Sequence, residues 1–395
     1  MSYDVRPWGG APTAERPARP PRVVAVPVRT RRDVRRFVEF RYRLHRDDPN
    51  FVPPLRRDAR RLLDRRRNPF FAYGDVGLFI AETRGRVAGR IAAVHNPRHN
   101  RVHRTRDGFF GQFECVDDPA VAAALFAAAA RWLRHRGLQT MLGPVDFTMN
   151  DECGLLVDGF DSPPRVLMPY NPAYYPALLG RCGLEKATDL WTWECATAPL
   201  DPRLTRIAEH VRRRDGLTVR PADLRDFDAE LARIKRVHDS AWRDNWGFVP
   251  MTDAEFTALA RRLRRIADPG LIQLVEAGGE PVAVGLGLPD FNQALPAARG
   301  RLTTFGVPIG LARLALAARR VDRVRGVLCG VVAEYRRRGL EALLYARVWD
   351  AMAAGGYRGG IEMGWTLEDN RAINQSMQAL GAVHAKTYRI YRRDL

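Results

Sequence analysis

Val331-Val-Ala-Glu-Tyr-Arg-Arg-Arg-Gly-Leu-Glu-Ala-Leu-Leu344 is the stretch that decides the fold. It continues an apolar run that begins at Val324, and this run predicts a buried strand over 324–332. The residues from Gly339 onward have helical spacing and predict a helix over 339–354. A strand that turns through a basic loop into a helix presents unpaired N–H groups at the positive end of the helix dipole. The segment therefore predicts a binding site for pyrophosphate.

The elements around this segment alternate between strands and helices. In the second half they are strand 217–220, helices 227–242 and 253–266, hairpin 270–288, strand 360–365, helix 370–380 and strand 383–392. The first half predicts the same order in strand 23–28, helix 29–45, hairpin 77–94, strand 109–116, helix 118–136, strand 140–145, helix 171–181 and strand 190–195. An order that recurs after roughly 180 residues indicates a tandem duplicated α/β fold. We expect a disordered tail over 1–22, a first module over 23–198 and a second over 199–395.

The chain is strongly basic, with a formal net charge of +19. Such a charge favours phosphate-bearing molecules or anionic lipid headgroups, although it is also typical of a solvated surface. No helix-turn-helix, zinc-finger or RNP-type motif accompanies the charge, so nucleic acid is not an expected partner.

The sequence also bears on where the protein works. No apolar run is long enough to span a bilayer, and the N-terminus has no apolar signal-peptide region. The five cysteines are scattered, without a CxxC pair. We therefore expect a cytoplasmic protein with reduced thiols, and its charge leaves room for peripheral contact with the inner face of an anionic membrane.

The loop Arg336-Arg-Arg-Gly339-Leu-Glu341 resembles the acetyl-CoA signature of the GNAT acyltransferase superfamily, Gln/Arg-x-x-Gly-x-Gly/Ala after a buried strand. From about Val23 the chain resembles a bacterial group of tandem GNAT proteins, through segments such as Asn150-Asp-Glu-Cys-Gly154 and Leu288-Pro-Asp-Phe-Asn-Gln-Ala-Leu295. In general plan it is also similar to bacterial ceramide synthases, which acylate sphingoid bases from acyl-CoA. The resemblance implies two modules, each a mixed, mostly antiparallel twisted sheet flanked by helices.

The resemblance implies an N-acyltransferase that uses acetyl-CoA or a longer acyl-CoA as co-substrate, with direct transfer and no metal. The residues expected to hold the co-substrate are Val331, Val332, Arg336, Arg337, Arg338, Gly339, Leu340, Glu341, Asn370 and Asn374. Glu341 stands where the family has a small residue, so it is expected either to crowd and repel the pyrophosphate or to point to solvent. Glu362 is the candidate base and Tyr388 the candidate proton donor to the thiolate.

The first half lacks this loop. At the equivalent place it has Glu114-Cys-Val-Asp-Asp-Pro-Ala120, which is acidic and contains no glycine. Acidic side chains repel phosphate, so the first module is expected to shape the acceptor pocket instead. Polar residues near predicted strand ends are candidate acceptor-binding groups, with capped loops as the alternative. They are Asn150, Asp151, Glu152, Asp290 and Asn292.

Two further segments allow alternative interpretations. The apolar stretch 305–316 is flanked by arginines, which suits either a membrane surface or lipid substrate, or a helix that covers the core. His95, His99 and His103 are spaced by four, as on a metal-binding helix face, but Pro97 and the neighbouring asparagines favour a loop without metal.

The sequence is also compatible with two other functions. Fem-type aminoacyl transferases also pair GNAT modules but use aminoacyl-tRNA, and a non-catalytic acyl-CoA sensor would keep the loop without the base.

Overall fold

The computed structural model describes residues 23–214, 216–243 and 245–395, so the expected tail over 1–22 lies outside the described residues. The helices are α1 Arg31–Leu44, α2 Arg56–Leu62, α3 Pro97–His103, α4 Pro119–Arg134, α5 Tyr175–Arg181, α6 Pro202–Arg214, α7 Phe227–Ala241, α8 Asp253–Leu263, α9 Leu295–Ala298, α10 Ile309–Ala318, α11 Leu340–Gly355 and α12 Arg371–Ala379. The strands are β1 Val24–Pro27, β2 Asp75–Thr83, β3 Arg86–His95, β4 Asp107–Cys115, β5 Thr140–Gly143, β6 Leu155–Asp158, β7 Glu185–Cys195, β8 Thr218–Pro221, β9 Ile272–Ala277, β10 Glu280–Pro289, β11 Val324–Val331, β12 Ile361–Leu367 and β13 Val383–Asp394.

All thirteen strands join one sheet in the order β1-β2-β3-β4-β5-β13-β7-β12-β11-β10-β9-β8, with β6 also paired to β13. Only β4 with β5 and β11 with β12 pair in parallel. The remaining pairs are antiparallel. The predicted fold class, a mixed and mostly antiparallel sheet in two tandem modules, is confirmed.

The two halves exchange strands at the centre of this sheet. Strand β13 lies between β5 and β7 and pairs with both of them. Strand β7, in turn, pairs with β12 of the second half. Each half therefore takes a neighbouring strand from the other, and the sheet runs without a break across the junction.

Each half also contains a pair of parallel strands that separate after three residues. In the second half, β11 pairs with β12 only from Val324 to Gly326. In the first half, β4 pairs with β5 only from Asp107 to Phe109. Beyond Gly326 the pairing of β11 with β12 ends, which leaves a V-shaped opening, here called the splay. The corresponding splay of the first half is narrower, because Val145 N–H, just after β5, still donates to Phe110 O at 2.8 Å.

Helices cover both faces of the second-half sheet. A Cβ added at Gly285 would contact Leu344 of α11, whereas one added at Gly330 would collide with Trp242, which ends α7. Gly285 is paired with Cys329, and Gly330 is paired with Val284 in the adjacent pair. Because side chains alternate between the faces of a sheet, positions 285 and 330 face opposite sides. Helices α7 and α11 therefore lie on opposite sides of the sheet, with the splay between them.

The structure differs locally from the predictions at several helices. A helix, α3, replaces the loop expected around the histidines, because Asn96 caps it through His99 N–H and Pro97 suits a first turn. Helix α5 starts at Tyr175 rather than at 171. Helix α6 was not predicted, and it buries Ala208 and Val211 in a core cluster shared with α11.

Candidate active site

The predicted phosphate loop lies between β11 and α11. Gly339 is the N-cap of α11 and has a φ of 87°, a left-handed conformation that glycine adopts without strain. No side chain among the described residues caps this helix start. Ala342 N–H donates to Gly339 O at 3.2 Å, so the N–H groups before it at the helix start are left for solvent or for an anion.

The three arginines of the loop are exposed but have different surroundings. The Arg336 guanidinium donates to Ala241 O at 3.0 Å, at the C-terminal end of α7. The Arg338 guanidinium lies 4.7 Å from the centre of the Tyr335 ring. Arg337 has a φ of 60°. Arg336 therefore fixes the loop to α7, and Arg337 and Arg338 supply charge at the surface.

Backbone groups of β11 face the splay at alternate residues. The Val332 N–H donates to Val282 O at 2.9 Å, which directs it toward β10. Because N–H groups alternate along a strand, those of Val331 and Cys329 point the other way, toward the splay. Of the two valines predicted to bind the co-substrate, Val331 has its N–H directed into the splay. The N–H of Val332 is already hydrogen-bonded within the sheet.

Glu341 is half-buried and does not point freely into solvent. Burial raises the pKa of Cys329 to about 12, and the nearby Glu341 carboxylate adds to this shift. The carboxylate is therefore near enough to β11 to act on the Cys329 side chain. The strand N–H groups, Gly339, the uncapped helix and the arginines all fit the pyrophosphate and pantetheine of an acyl-CoA, whereas the Glu341 carboxylate opposes its charge.

Asn370 and Asn374 hold the junction between β12 and α12. The Asn370 side chain caps α12 by accepting from Ile373 N–H. Asn374 is buried, accepts from Thr366 Oγ1 at 2.7 Å and donates to Leu367 O at 3.0 Å. Both side chains make hydrogen bonds within the protein. Their contact with the co-substrate stays a prediction.

A cavity of about 290 Å³ opens beside the second-half splay. Val327 and Leu328 of β11 and Gly364 and Trp365 of β12 form its inner wall. Most of its lining is apolar and comes from α7, α8 and the chain between them, including Phe227, Ile234, Trp242, Phe248, Phe256 and Leu263. Sequence patterns did not single out these residues, because core aromatics have the same spacing as cavity aromatics.

Three carboxylates from the first half reach this cavity, namely Asp146, Asp151 and Glu152. Burial raises the pKa of Asp151 to about 7, although a hydrogen bond from Thr148 Oγ1 at 2.8 Å opposes the shift. Burial likewise raises the pKa of Glu152 and of Asp146. Asp146, which accepts from Gln112 N–H at 2.9 Å, was missed by the sequence analysis.

Asn150 also lines the cavity, and its side chain donates to Val249 O at 3.0 Å. Three of the five predicted acceptor residues, Asn150, Asp151 and Glu152, are therefore together at the cavity wall. Asp290 and Asn292 lie elsewhere and join the two halves. Asp290 accepts from Val166 N–H and Asn292 donates to Pro164 O, each at 2.8 Å.

Arg325 is a second cavity residue that the sequence analysis did not select. It is buried on β11, and its guanidinium donates to Gly326 O at 2.6 Å and to Glu362 O at 3.2 Å. Burial lowers the pKa of Arg325, and the Glu362 carboxylate opposes this shift. A single charge within an apolar strand was the available signal, since buried charges require partners or a function.

Glu362 and Tyr388 lie behind the cavity, outside the residues that line it. Glu362 Oε2 is 3.4 Å from Arg165 Nε, whereas Glu362 Oε1 and the Tyr388 hydroxyl have no hydrogen-bond partner among the described residues. Burial raises the pKa of both groups. Their catalytic roles stay predictions.

The histidine segment is built as a structural helix. His99 Nε2 lies 3.6 Å from Asp107 Oδ2, and His103 Nε2 lies 3.1 Å from Phe248 O. Across residues 23–214, 216–243 and 245–395, no three His, Cys, Asp or Glu side chains come together in a way that could hold a metal ion. Within the same ranges, none of the helices has the length and apolar character needed to cross a bilayer.

Comparison with known proteins places the chain among bacterial relatives. It is 35% identical over 379 residues to "Bacterial ceramide synthase" of Caulobacter vibrioides, covering 94% of this chain and 97% of that protein. It is 32% identical over 368 residues to "Protein YghO" of Escherichia coli, covering 92% and 93%. The chain belongs to the family of these two proteins. No family model matches it.

The fold of this family member also matches a solved structure. A tandem GNAT protein from the clavulanic acid biosynthesis pathway superposes with a TM-score of 0.54 at 14% identity, over 94% of this chain and 98% of that one. At this identity the likeness concerns the fold, which is that of tandem GNAT proteins. Fold and family together identify the chain as a GNAT-type acyltransferase.

Proposed function

We propose that the chain transfers an acyl group from acyl-CoA to a primary amine carried on a long apolar chain, such as a sphingoid-type base. The observation that carries this proposal is the cavity that combines an apolar lining, three carboxylates from the first half and a wall formed by the splay. The name of the Caulobacter relative supports the same acceptor class.

The acceptor's chemistry follows from the two kinds of cavity surface. Aromatic and aliphatic side chains of α7 and α8 suit a hydrocarbon chain, because its transfer from water is favourable. Carboxylates that are partly shielded from water are costly unless they meet a cation or a proton. Asp146, Asp151 and Glu152 are therefore suited to hold the ammonium group of the amine beside the splay.

Asp151 is the base that the geometry favours. With a pKa of about 7, a large fraction of the Asp151 side chain is ionised at neutral pH. The ionised carboxylate is nevertheless basic enough to take a proton from the ammonium group. Glu362 is retained as the second candidate, acting through water. Since the ionised form is the active one, the rate should rise with pH through about 7.

The splay supplies the groups that polarise the acyl carbonyl. Bound acyl-CoA would bring a thioester carbon that the free amine can attack. The N–H groups of Cys329 and Val331 point toward this position, and Tyr388 is proposed to return a proton to the leaving thiolate. Burial raises the pKa of Cys153 to about 12, which disfavours a thiolate nucleophile and supports direct transfer.

The first test separates the candidate functions by binding. Calorimetry with CoA thioesters of increasing chain length should show binding, and absence of binding would eliminate both the enzyme and the acyl-CoA sensor. Binding without transfer to any amine would favour the sensor. Transfer from aminoacyl-tRNA in place of acyl-CoA would favour a Fem-type enzyme.

The second test addresses the base. Asp151→Asn should lower kcat by about 10²- to 10⁴-fold with a sphingoid base as acceptor and remove the rise in rate near pH 7. Asp158→Asn is the control, because Asp158 is exposed and outside the cavity. If Asp151→Asn retains the same pH profile as the unsubstituted protein, Asp151 is not the base, and Glu362→Gln becomes the variant to measure.

A further inference from the structure

The segment 301–320, here called the arginine-flanked segment, has a tight turn at its tip. Thr304 and Val307 exchange backbone hydrogen bonds around Phe305 and Gly306, whose φ angles are 50° and 80°. Two-residue turns of this kind favour Asn-Gly, because both central residues have positive φ. Phe305 is a bulky residue in this strained conformation, and its relative exposure is 103%. Its ring adds no packing to the fold that would offset the strain.

The rest of the segment exposes further apolar side chains. They are Val307, Ile309, Leu311 and Leu316, with relative exposures between 40% and 62%. Helix α10 is held to the protein mainly through Leu314, which packs in a cluster with Ala294 and Ala298. The apolar residues of this segment therefore form an exposed patch that the described chain does not cover.

Arginines surround this patch. Arg301, Arg313, Arg319 and Arg320 are exposed, and none of them makes an ion pair with an acidic group in the part of the chain that the structure describes. A second copy of the segment would bring like charges together. The tail 1–22 is also net basic, with four arginines against one aspartate and one glutamate. Charge complementarity thus favours an anionic partner with an apolar interior.

Helix α2 connects the chain just before the arginine-flanked segment with the cavity. Arg56, at the start of α2, donates from its backbone N–H to Gly300 O at 3.0 Å and from its guanidinium to Arg299 O at 2.9 Å. Leu62, at the end of α2, lines the cavity. At 1.5 Å per residue, the step along α2 from Arg56 to Leu62 spans roughly 9 Å.

We propose that the arginine-flanked segment docks the protein on an anionic bilayer, with Phe305 and its apolar neighbours inserted below the headgroups. The arginines bind the anionic headgroups, as is typical of peripheral helices. Insofar as the proposed function holds, this contact places the cavity beside the phase in which a long-chain amine is dissolved.

The test uses the full chain and vesicles in a flotation assay. Vesicles of phosphatidylglycerol and phosphatidylethanolamine should bind the protein at low salt, and vesicles of phosphatidylcholine alone should bind it much more weakly. Binding should fall as salt rises, since the charges are exposed. Vesicle binding requires no acyl-CoA, so its outcome is independent of the proposed function.

Two variants with matched controls locate the surface. Phe305→Asn should weaken binding by about tenfold or more through loss of apolar burial, and it suits the turn, so the fold should remain. Val383→Asn is its control, an exposed apolar residue on β13. The pair Arg319→Gln/Arg320→Gln should weaken binding by about tenfold or more, and Arg131→Gln/Arg134→Gln on α4 should not.

Three results would overturn the proposal. One is the absence of binding to the anionic vesicles. Another is binding that Phe305→Asn and the Arg319/Arg320 pair leave unchanged. The third is a dimer in solution that Phe305→Asn dissociates without an effect on vesicles, which would make the patch an interface between copies.

Discussion

The helices α4 and α11 occupy equivalent places in the two halves and begin in opposite ways. Helix α4 is capped by Asp118, whose side chain accepts from Ala120 N–H at 2.8 Å, and Pro119 removes one of the donors. Helix α11 begins after Gly339, without a side-chain cap. In the first half, the chain itself satisfies the N–H groups at the helix start. In the second half, no side chain does so, and these groups are left for a ligand.

The two splays differ in the same way. Near the first, Glu114 accepts from His45 Nε2 at 2.8 Å and from the Tyr175 hydroxyl at 2.9 Å, and it pairs with Arg41 at 2.9 Å. Beside the second lies the cavity. A duplicated fold can therefore fill the splay of one copy and keep that of the other open for the co-substrate, while the filled copy still contributes side chains to the cavity wall.

The largest expected effect tests the filled splay of the first half. Burial alone would raise the pKa of Glu114, but His45, Arg41 and Arg90 lower it from 4.5 to about 2. Because the folded pKa is depressed, the stabilisation is present above about pH 4.5 and is lost as the pH falls toward 2. Glu114→Gln should lower the free energy of unfolding by about 3–5 kcal/mol at pH 7 and flatten its pH dependence in this window.

Urea denaturation at several pH values measures this effect. Asp117→Asn is the control, since Asp117 is exposed and three residues away. Acyl-CoA affinity of the folded Glu114→Gln protein should stay unchanged. A Glu114 variant that loses acyl-CoA affinity while remaining folded would contradict the division between the filled splay and the open one.

The second expected effect tests the uncapped helix. Gly339→Asp places a carboxylate at the start of α11 and should weaken acyl-CoA binding by about a hundredfold, because the carboxylate and the phosphates repel each other at short distance. Gly339→Asn is the matched control, since asparagine also tolerates positive φ but carries no charge. A Cβ at this position would lie 3.1 Å from Val211 Cγ2, so both variants share the same crowding.

Calorimetry on the two Gly339 variants separates charge from shape. If Gly339→Asn binds as poorly as Gly339→Asp, crowding by α6 is the cause. If both bind normally, the co-substrate does not use this helix start.

The smallest expected effect concerns Glu341, which makes the second half slightly resemble the acidic first half. Glu341→Ala should strengthen acyl-CoA binding by about two- to fivefold and lower helix stability by about 0.3–1 kcal/mol, because the carboxylate favours the helix dipole but opposes phosphate. Glu185→Ala on β7 provides the same change in net charge at an exposed position. Weaker binding in Glu341→Ala would instead indicate that this carboxylate contacts the co-substrate favourably.

Local signals predicted much of the fold. The hairpin turns at 84–85 and 278–279, the cap at Asp118 and the helix led by Asn370 were all visible in the sequence. Each depends on residues a few positions apart, such as glycines with positive φ or side chains that cap their own helix. The same is true of the loop at Gly339.

Long-range pairing could not be predicted in this way. The insertion of β13 between β5 and β7 depends on contacts between residues about 200 positions apart, and alternation within one strand does not specify its neighbours. The cavity could not be predicted from local patterns either, because Asp151 comes from one half and Phe256 from the other. Arg325 and Glu362 were ambiguous, since the role of a buried charge depends on its partners.

The exchanged strands have a consequence for how the chain folds during synthesis. Strand β7 ends at Cys195, but its neighbour on one side, β13, begins only at Val383. At 5–20 residues per second the ribosome needs roughly 10–40 s to make the intervening chain. During this interval the emerging first half has an open edge at the middle of its sheet, which is a site for aggregation or chaperone binding. Completion of the first half therefore waits for the last strand of the second.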